Sequence, residues 1–323
     1  MTLILNKKSS PEVHSFGTGE TKMSATTISS PKESNSSEDK KVLTCTKCKS
    51  KHIKKIGFRT TQKRGKQQRY LCFDCGSSFT ENKGFWRMKN NEDKICQAID
   101  TYFEGLSLRK VKRNFLRYGE TEISHQSILN WIRKYSYMIR NYVGKLNVNL
   151  EGHYLTDETI IHCAGDKHNV GLVLDKKTRY VVATRYSEYQ FITPEDNVLL
   201  WNEAKKVKRP YKFTSDAHMT YHEAFNKVFW TRYKQDKVEY EQINFHKTGR
   251  YNYIMERVWN TLKERIKIMR GFKASWSAKL LIDGFFIWYN MIRPHMSFKR
   301  TPAENVGLTG LSNYRRIIEL SVA

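Results

Sequence analysis

At 323 residues the chain is long enough for two domains plus a smaller appended module, and too long for a scaffold held by disulfides alone. Lys and Arg number 57 against 32 for Asp and Glu, a net charge of +25, so the surface must attract a polyanion, with nucleic acid the first candidate. Hydrophobic residues make up 39% and aromatic residues 13%, enough apolar material to offset the ordering entropy of a fold, which excludes wholesale disorder.

The longest apolar stretch, Leu280 to Ile292, is interrupted by Asp283, Gly284 and Asn290 and is too short for a membrane-spanning helix, so no membrane partner is expected. Leu3-Ile4-Leu5 ahead of Lys7 and Lys8 falls short of a secretory signal, and the cytoplasm is the expected location. Thiols stay reduced there, so the six cysteines read as metal ligands or core fillers.

Residues 1–40 are rich in Ser and Thr, balanced in charge and without apolar period, the pattern of a disordered tail; Met23 offers a second start within it. Residues 41–95 then carry 15 Lys and Arg against 4 acids. From Glu92 to Leu146 the period is helical, with Ile95, Ile99, Tyr102 and Phe103 on one face and Val111, Phe115 and Leu116 on a second helix. A turn over Tyr118–Glu122 follows, and Ser124 is placed to cap a third helix bearing Ile128, Leu129, Ile132 and Tyr135.

After Asn147 the period becomes strand-like, over Tyr154–Ile161, Val170–Leu174 and Arg179–Arg185, the last two joined by a hairpin turn at Asp175–Thr178. Thr193-Pro194-Glu195 opens a helix with Leu200, Ala204 and Val207 as its buried stripe. A strand at Tyr211–Ser215, a helix at Tyr221–Phe229, a strand at Val238–Phe245 and a long helix over Tyr251–Met269 complete an alternating order. That order predicts an α/β domain with helices on a mixed sheet.

Cys45-Thr-Lys-Cys48 and Cys72-Phe-Asp-Cys75 form two C-x-x-C pairs with 23 residues between them, close to the spacing of four-thiolate zinc ribbons. One zinc ion with four sulfur ligands has no open coordination position, so its role would be structural. Between the pairs, Lys54, Lys55, Arg59, Lys63, Arg64, Lys66 and Arg69 crowd a segment able to form a hairpin turning near Gly65, a pattern suited to DNA phosphates. Cys96 and Cys163 stand alone and read as packed thiols.

The segments Leu106–Val111 and Ile123–Ile132 read as a helix-turn-helix. Its second helix would present His125, Gln126, Ser127 and Asn130 to base edges, with Arg133 and Lys134 on flanking phosphates. Three-helix units also serve as plain packing modules, and the basic segment just before this one favours DNA.

Asp157 lies inside an apolar strand, where a charge is costly unless something such as a metal ion compensates it. Asp216 ends another strand, where α/β sheets tend to hold ligands. Glu158 points to the opposite face from Asp157 and cannot share its site. On the long helix, Ile254, Val258, Leu262, Ile266 and Met269 face the core, and Glu256 lies off that stripe. Lys263 is two turns further on, about 10 Å along the axis.

These surroundings resemble the DDE transposases of bacterial and archaeal insertion sequences, kin to retroviral integrases, over roughly residues 100–305. The resemblance rests on Thr156-Asp157-Glu158-Thr159, Thr214-Ser215-Asp216, His246, and Asn252–Arg257 with Lys263, Arg265 and Met269-Arg270-Gly271-Phe272. Trp288-Tyr289-Asn290, Arg293-Pro294-His295 and Thr301-Pro302 complete it. It implies an RNase H-like mixed sheet over residues 148–305. That sheet would be preceded by a zinc ribbon (41–90) and a helix-turn-helix module (91–147) and followed by a C-terminal tail (306–323). It also implies catalytic acids at Asp157, Asp216 and Glu256. The chain departs from the family in Tyr253, where a second Asn is usual, and in the 39 residues between Asp216 and Glu256. Glu264 and Glu241 are the competitors for the third acid.

The resemblance implies two Mg²⁺ ions, which Mn²⁺ could replace, held by the three carboxylates, with Arg257 and Lys263 gripping phosphate and His246 orienting substrate or packing. The implied reaction is release of a DNA 3′ end by water, then attack of that 3′ hydroxyl on target DNA. The implied partners are double-stranded DNA, as terminal inverted repeats and as target, and further copies of the chain in a homodimer or larger assembly near the nucleoid. Two other readings are a zinc-ribbon, helix-turn-helix regulator with inert acids and an RNase H-like nuclease without joining activity.

Overall fold

The computed structural model describes residues 43–61, 65–81, 84–85, 88–118, 122–243 and 252–322. The predicted tail at 1–40, Lys63, Arg64 and His246 lie outside the described residues. The chain from Thr44 onward forms one compact unit.

Three antiparallel strands come first, β1 (Ile53–Thr61), β2 (Gly65–Cys72) and β3 (Ser78–Thr80), in that order. Gly65 takes φ +60 where the β1–β2 hairpin turns back. No residue of β1 is buried and only Cys72 of β2 is, so this sheet has almost no core of its own to stabilise it.

Helices α1 (Glu92–Phe103), α2 (Leu108–Arg117) and α3 (His125–Val143) follow, each begun by a side-chain cap: Asn91, Ser107 and Ser124 accept from the backbone N–H groups of Asp93, Lys110 and Ser127. Val111 and Phe115 are buried as the period predicts, whereas Leu116 is exposed because it falls one residue past the stripe. On α3 the stripe is Ile128, Trp131, Ile132, Tyr135 and Ile139, with Leu129 half-buried.

The second sheet contains β4 (His153–Cys163), β5 (Asp166–Asp175), β6 (Val181–Ser187), β7 (Lys212–Asp216) and β8 (Glu239–Ile243), in the order β6-β5-β4-β7-β8. β4, β5 and β6 form an antiparallel meander, while β7 and β8 add in parallel through helical crossovers. This is the mixed sheet with flanking helices expected of an RNase H-like α/β domain. Helices α4 (Pro194–Val207) and α5 (Met219–Phe229) cover the sheet through an aromatic cluster, in which Trp201 and Phe213 have ring centroids 4.7 Å apart. Trp201 Nε1 also donates to Thr156 Oγ1 at 3.2 Å. The expected stripe on α4 holds at Leu200 and Ala204, with Trp201 added; Val207 is 45% exposed because the helix ends there.

Helix α6 (Tyr253–Met269) runs along β4, and α7 (Ser275–Ile287) leads through a π turn at Trp288–Ile292 to the short α8 (Pro302–Asn305) and to α9 (Tyr314–Leu320). Gly284 lets α7 cross α3 closely, since a Cβ there would strike Ser136 and Phe103. Residues 306–323, expected as a tail, carry α9. It buries Tyr314, Ile317 and Ile318 against α1 and α3, and its Arg315 pairs with Glu92 at 3.0 Å and Asp93 at 2.9 Å. Three apolar residues on one helical face hold this segment down.

Candidate nucleic-acid interface and acidic centre

The two C-x-x-C segments adopt matching turns. Lys49 N–H donates to the Cys45 carbonyl and Gly76 N–H to the Cys72 carbonyl, both at 3.0 Å, and Lys49 and Gly76 both take positive φ. Sγ of Cys45 lies 3.6 Å from that of Cys75, and Cys48 lies 3.5 Å from Cys72; all four ligand atoms are within 4.8 Å of one another. A tetrahedral site with bonds of about 2.3 Å has sulfur–sulfur edges of about 3.8 Å, so this set fits one zinc ion with no position left open. Hydrogen bonding from the Cys48 backbone, opposed by burial and aided by Lys47 N–H, lowers the Cys45 thiol to about 6, while Cys48 and Cys75 are raised.

Lys54, Lys55, Arg59 and Lys66 are exposed on β1 and β2, with Lys66 Nζ 4.3 Å from the Phe58 ring centroid; Arg69 is half-buried and donates to Ser78 Oγ at 3.2 Å. Arg64 lies outside the described residues. At the start of α3, His125, Gln126 and Asn130 are exposed and Ser127 is half-buried, its Oγ 2.9 Å from Ser124 Oγ. Gln126 Nε2 donates to Asn130 Oδ1 at 3.2 Å, which aligns the two amides. Arg133 is turned onto α7: it donates to Ser277 Oγ at 3.2 Å and its guanidinium stacks 4.4 Å from the Trp276 ring.

The parallel pairing of β4 with β7 runs to Leu155 opposite Thr214. Two residues further along each strand, Asp157 and Asp216 share the same alternation and leave the sheet on one face. Asp157 Oδ1 accepts from the Glu158 backbone N–H at 2.9 Å and Oδ2 from Trp259 Nε1 at 3.1 Å. Trp259 sits about one helical turn beyond Glu256 on α6, so this bond fixes the helix bearing Glu256 against the strand bearing Asp157. Burial first, then the charge of Asp216, with a smaller push from Glu256, raises the Asp157 carboxyl from 3.8 to about 6, despite the two hydrogen bonds that lower it.

Asp216 and Glu256 are exposed, and Asp216 Oδ1 accepts from His218 N–H at 3.1 Å. Among the described residues the four cysteines are the one group of three or more potential ligands within 4.8 Å of each other; the three carboxylates stand further apart, as uncompensated like charges do. Glu158, on the other face of β4, is half-buried with Oε2 unpartnered; burial, then the charges of Asp157 and Asp216, push it up to about 8. It lines a cleft of about 400 Å³ with Asn169, His218 and Lys263. Arg257 and Lys263 are exposed on α6. Of the competitors, Glu241 is paired with Lys212 at 3.0 Å, and Glu264 is exposed.

Trp259 is not among the residues the sequence singles out: an indole on the buried side of α6, one turn from Glu256, carries no periodic signal that separates a carboxylate partner from core.

A family model described as a DDE domain matches residues 153–295. The insertion element ISM1 uncharacterized 48.3 kDa protein of Methanobrevibacter smithii is 31% identical over 111 residues, 32% of this chain and 26% of that protein, so the chain spans about a quarter of that relative's length. Among solved structures, the HTLV-2 integrase catalytic core domain in complex with magnesium is 11% identical over 49% of this chain and 97% of that one, with a TM-score of 0.37. The BIV integrase catalytic core domain is 15% identical over 48% and 93%, with a TM-score of 0.35.

Proposed function

We propose that this chain, whose residues 153–295 belong to the DDE domain family, is an insertion-element transposase that cuts DNA to free a 3′ end and joins that end to target DNA. The observation that carries this reading is the crowding of negative charge at Asp157, a strand-borne carboxyl raised to about 6 by burial and by the charges of Asp216 and Glu256. Such crowding is unfavourable in the bare protein and becomes favourable once divalent cations are bound. The donors are hard carboxylate oxygens, which suit Mg²⁺ or Mn²⁺.

Asp157, Asp216 and Glu256 would hold two such ions. Bound there, the ions supply the positive charge that activates an attacking oxygen and offsets the charge on the leaving one. The chain's own residues do the rest. The Trp259 and Glu158 N–H groups orient the Asp157 carboxylate and leave its other lone pairs available. Lys263 and Arg257, exposed on α6 beyond Glu256, bind the non-bridging oxygens of the scissile phosphate. Water attacks first, and the freed 3′ hydroxyl attacks target DNA in the second step.

Cys45, Cys48, Cys72 and Cys75 hold one structural zinc ion, which replaces the core that β1–β3 lack. Lys54, Lys55, Arg59, Arg64, Lys66 and Arg69 then track phosphates, while His125, Gln126, Ser127 and Asn130 read base edges of the terminal inverted repeats. Arg133 supports that helix through Trp276 and Ser277. The resemblance to transposases that act as multimers on paired ends makes a homodimer or larger assembly the working form. Among the described residues no helix is long and apolar enough to cross a membrane, in keeping with action on DNA in the cytoplasm, at the nucleoid.

The test is to incubate the chain with a labelled element-end duplex, target plasmid and Mg²⁺. Cut and joined products are expected. Binding alone would replace this reading with a regulator, and cutting alone with a nuclease.

A further inference from the structure

Beside the acids, three segments distant in sequence bring arginines together: the β5–β6 turn, the N-terminal part of α6 and the stretch after the π turn. Asn290 ties the last of these to β6, its Oδ1 accepting from Val181 N–H and its Nδ2 donating to the Val181 carbonyl, both at 2.9 Å. Asn305 Nδ2 donates to the Thr178 carbonyl at 3.3 Å. This stitching holds the segment that carries Arg293 and His295 against the turn that carries Arg179, and α6 carries Arg257. His295 responds to all three: burial, then the charges of Arg179, Arg293 and Arg257, hold it below its ordinary value. Among the described residues no carboxylate lies within 4.0 Å of any of the three guanidinium groups.

Arg179 is also held against its backbone preference. It takes φ +60, a region where glycine is free and a side chain is strained, and its Nη1 donates to the Lys176 carbonyl while its other N–H groups stay available. Tyr253, one turn before Glu256, is among the groups that act on Arg179, so the cluster lies on the side of the acids away from Lys263.

We infer that Arg179, Arg293 and His295 form a second phosphate-binding site that takes a DNA backbone phosphate next to the one bound by Arg257 at the acids. The identity of the ligand as DNA rests on the proposed function. The site's position and charge do not.

Arg179→Gly isolates the side chain, because it relieves backbone strain. Its unfolding midpoint should equal or exceed that of the wild type. Its affinity for a short labelled duplex, measured by anisotropy without divalent metal, should fall about tenfold, the scale of one charge-assisted hydrogen bond. The slope of log affinity against log salt should become shallower by about one. Arg293→Gln should do the same from a different element, and Arg179→Lys should retain most of the affinity. A loss on element-end duplex assigns the phosphate to the end, and a loss only of plasmid capture during joining assigns it to target DNA. If both variants fold as stably as the wild type and keep its affinity, salt slope and plasmid capture, the site does not exist. A wild-type chain that binds duplex through Arg179 but neither cuts nor joins would sink the proposed activity and leave the site standing.

Discussion

Asp157→Asn should make the metal-free protein more stable. The Asp157 carboxyl titrates near 3.8 when unfolded and at about 6 when folded, so between those values the folded state holds more protons than the unfolded one. Stability therefore falls as pH rises through this window, and the full penalty applies above about pH 6. A displacement of about two pH units corresponds to about 3 kcal/mol, an upper bound because the group is partly solvated. Asn can accept from Trp259 Nε1 or from the Glu158 N–H but not from both as a carboxylate does, which returns about 1 kcal/mol. The net expectation is about 2 kcal/mol of stabilisation at pH 8 in EDTA, shrinking to nothing or reversing near pH 4. Urea unfolding across pH 4–8, with and without EDTA, measures it. Mg²⁺ at about a hundred times its dissociation constant should return roughly 2.7 kcal/mol to the wild type and little to the variant. A variant no more stable than the wild type at pH 8, together with an equal response to Mg²⁺, would refute the idea that Asp157 is strained for want of a cation.

Asp216→Asn and Glu256→Gln should keep duplex affinity while cutting and joining fall by about a thousandfold or more, the scale of losing several kcal/mol of transition-state stabilisation; product formation on labelled ends measures this, and normal joining by either variant removes that residue from the centre. Cys45→Ser with Cys48→Ser should abolish one bound zinc per chain by elemental analysis and speed hydrogen exchange in β1–β3 while β4 and β5 stay protected; unchanged zinc content would contradict the four-thiolate site. Arg265 is 3% exposed on α6, its guanidinium 3.8 Å from the Tyr102 ring and three of its nitrogens without partners. Arg265→Met should therefore raise urea resistance by about 1–3 kcal/mol, and a clear loss would show that the charge is compensated.

The strand and helix order of the catalytic half was legible because local signals agreed: period-two alternation in β4 and β5, the Asp175–Thr178 turn, and the Thr193-Pro194 helix start all point one way. The cysteine spacing was equally legible, since two short turns can meet at one ion in few ways. Long-range partners left no such trace. Arg265 follows the apolar series Ile254, Val258, Leu262 on the same face, and periodicity gives no reason to place a guanidinium there until Tyr102, 163 residues earlier, supplies a ring. Arg179 reads as part of a strand, whereas its N–H closes the turn onto the Asp175 carbonyl at positive φ, and Asn290 and Asn305, from the far end of the chain, bind Val181 and Thr178 around it. The resemblance implies a C-terminal tail over 306–323, whereas Tyr314, Ile317 and Ile318 form an apolar helical face that the structure buries.

The close crossing of α3 and α7 at Gly284 packs the helix that carries Gln126 and Asn130 directly onto the domain that carries the acids. Under the proposed function, the offset between the base pairs recognised and the bond broken is then a ruler built into the protein. Inserting a base pair between them in the DNA should silence the reaction instead of shifting the break, and bulk added at Gly284 should blur where the ends are trimmed.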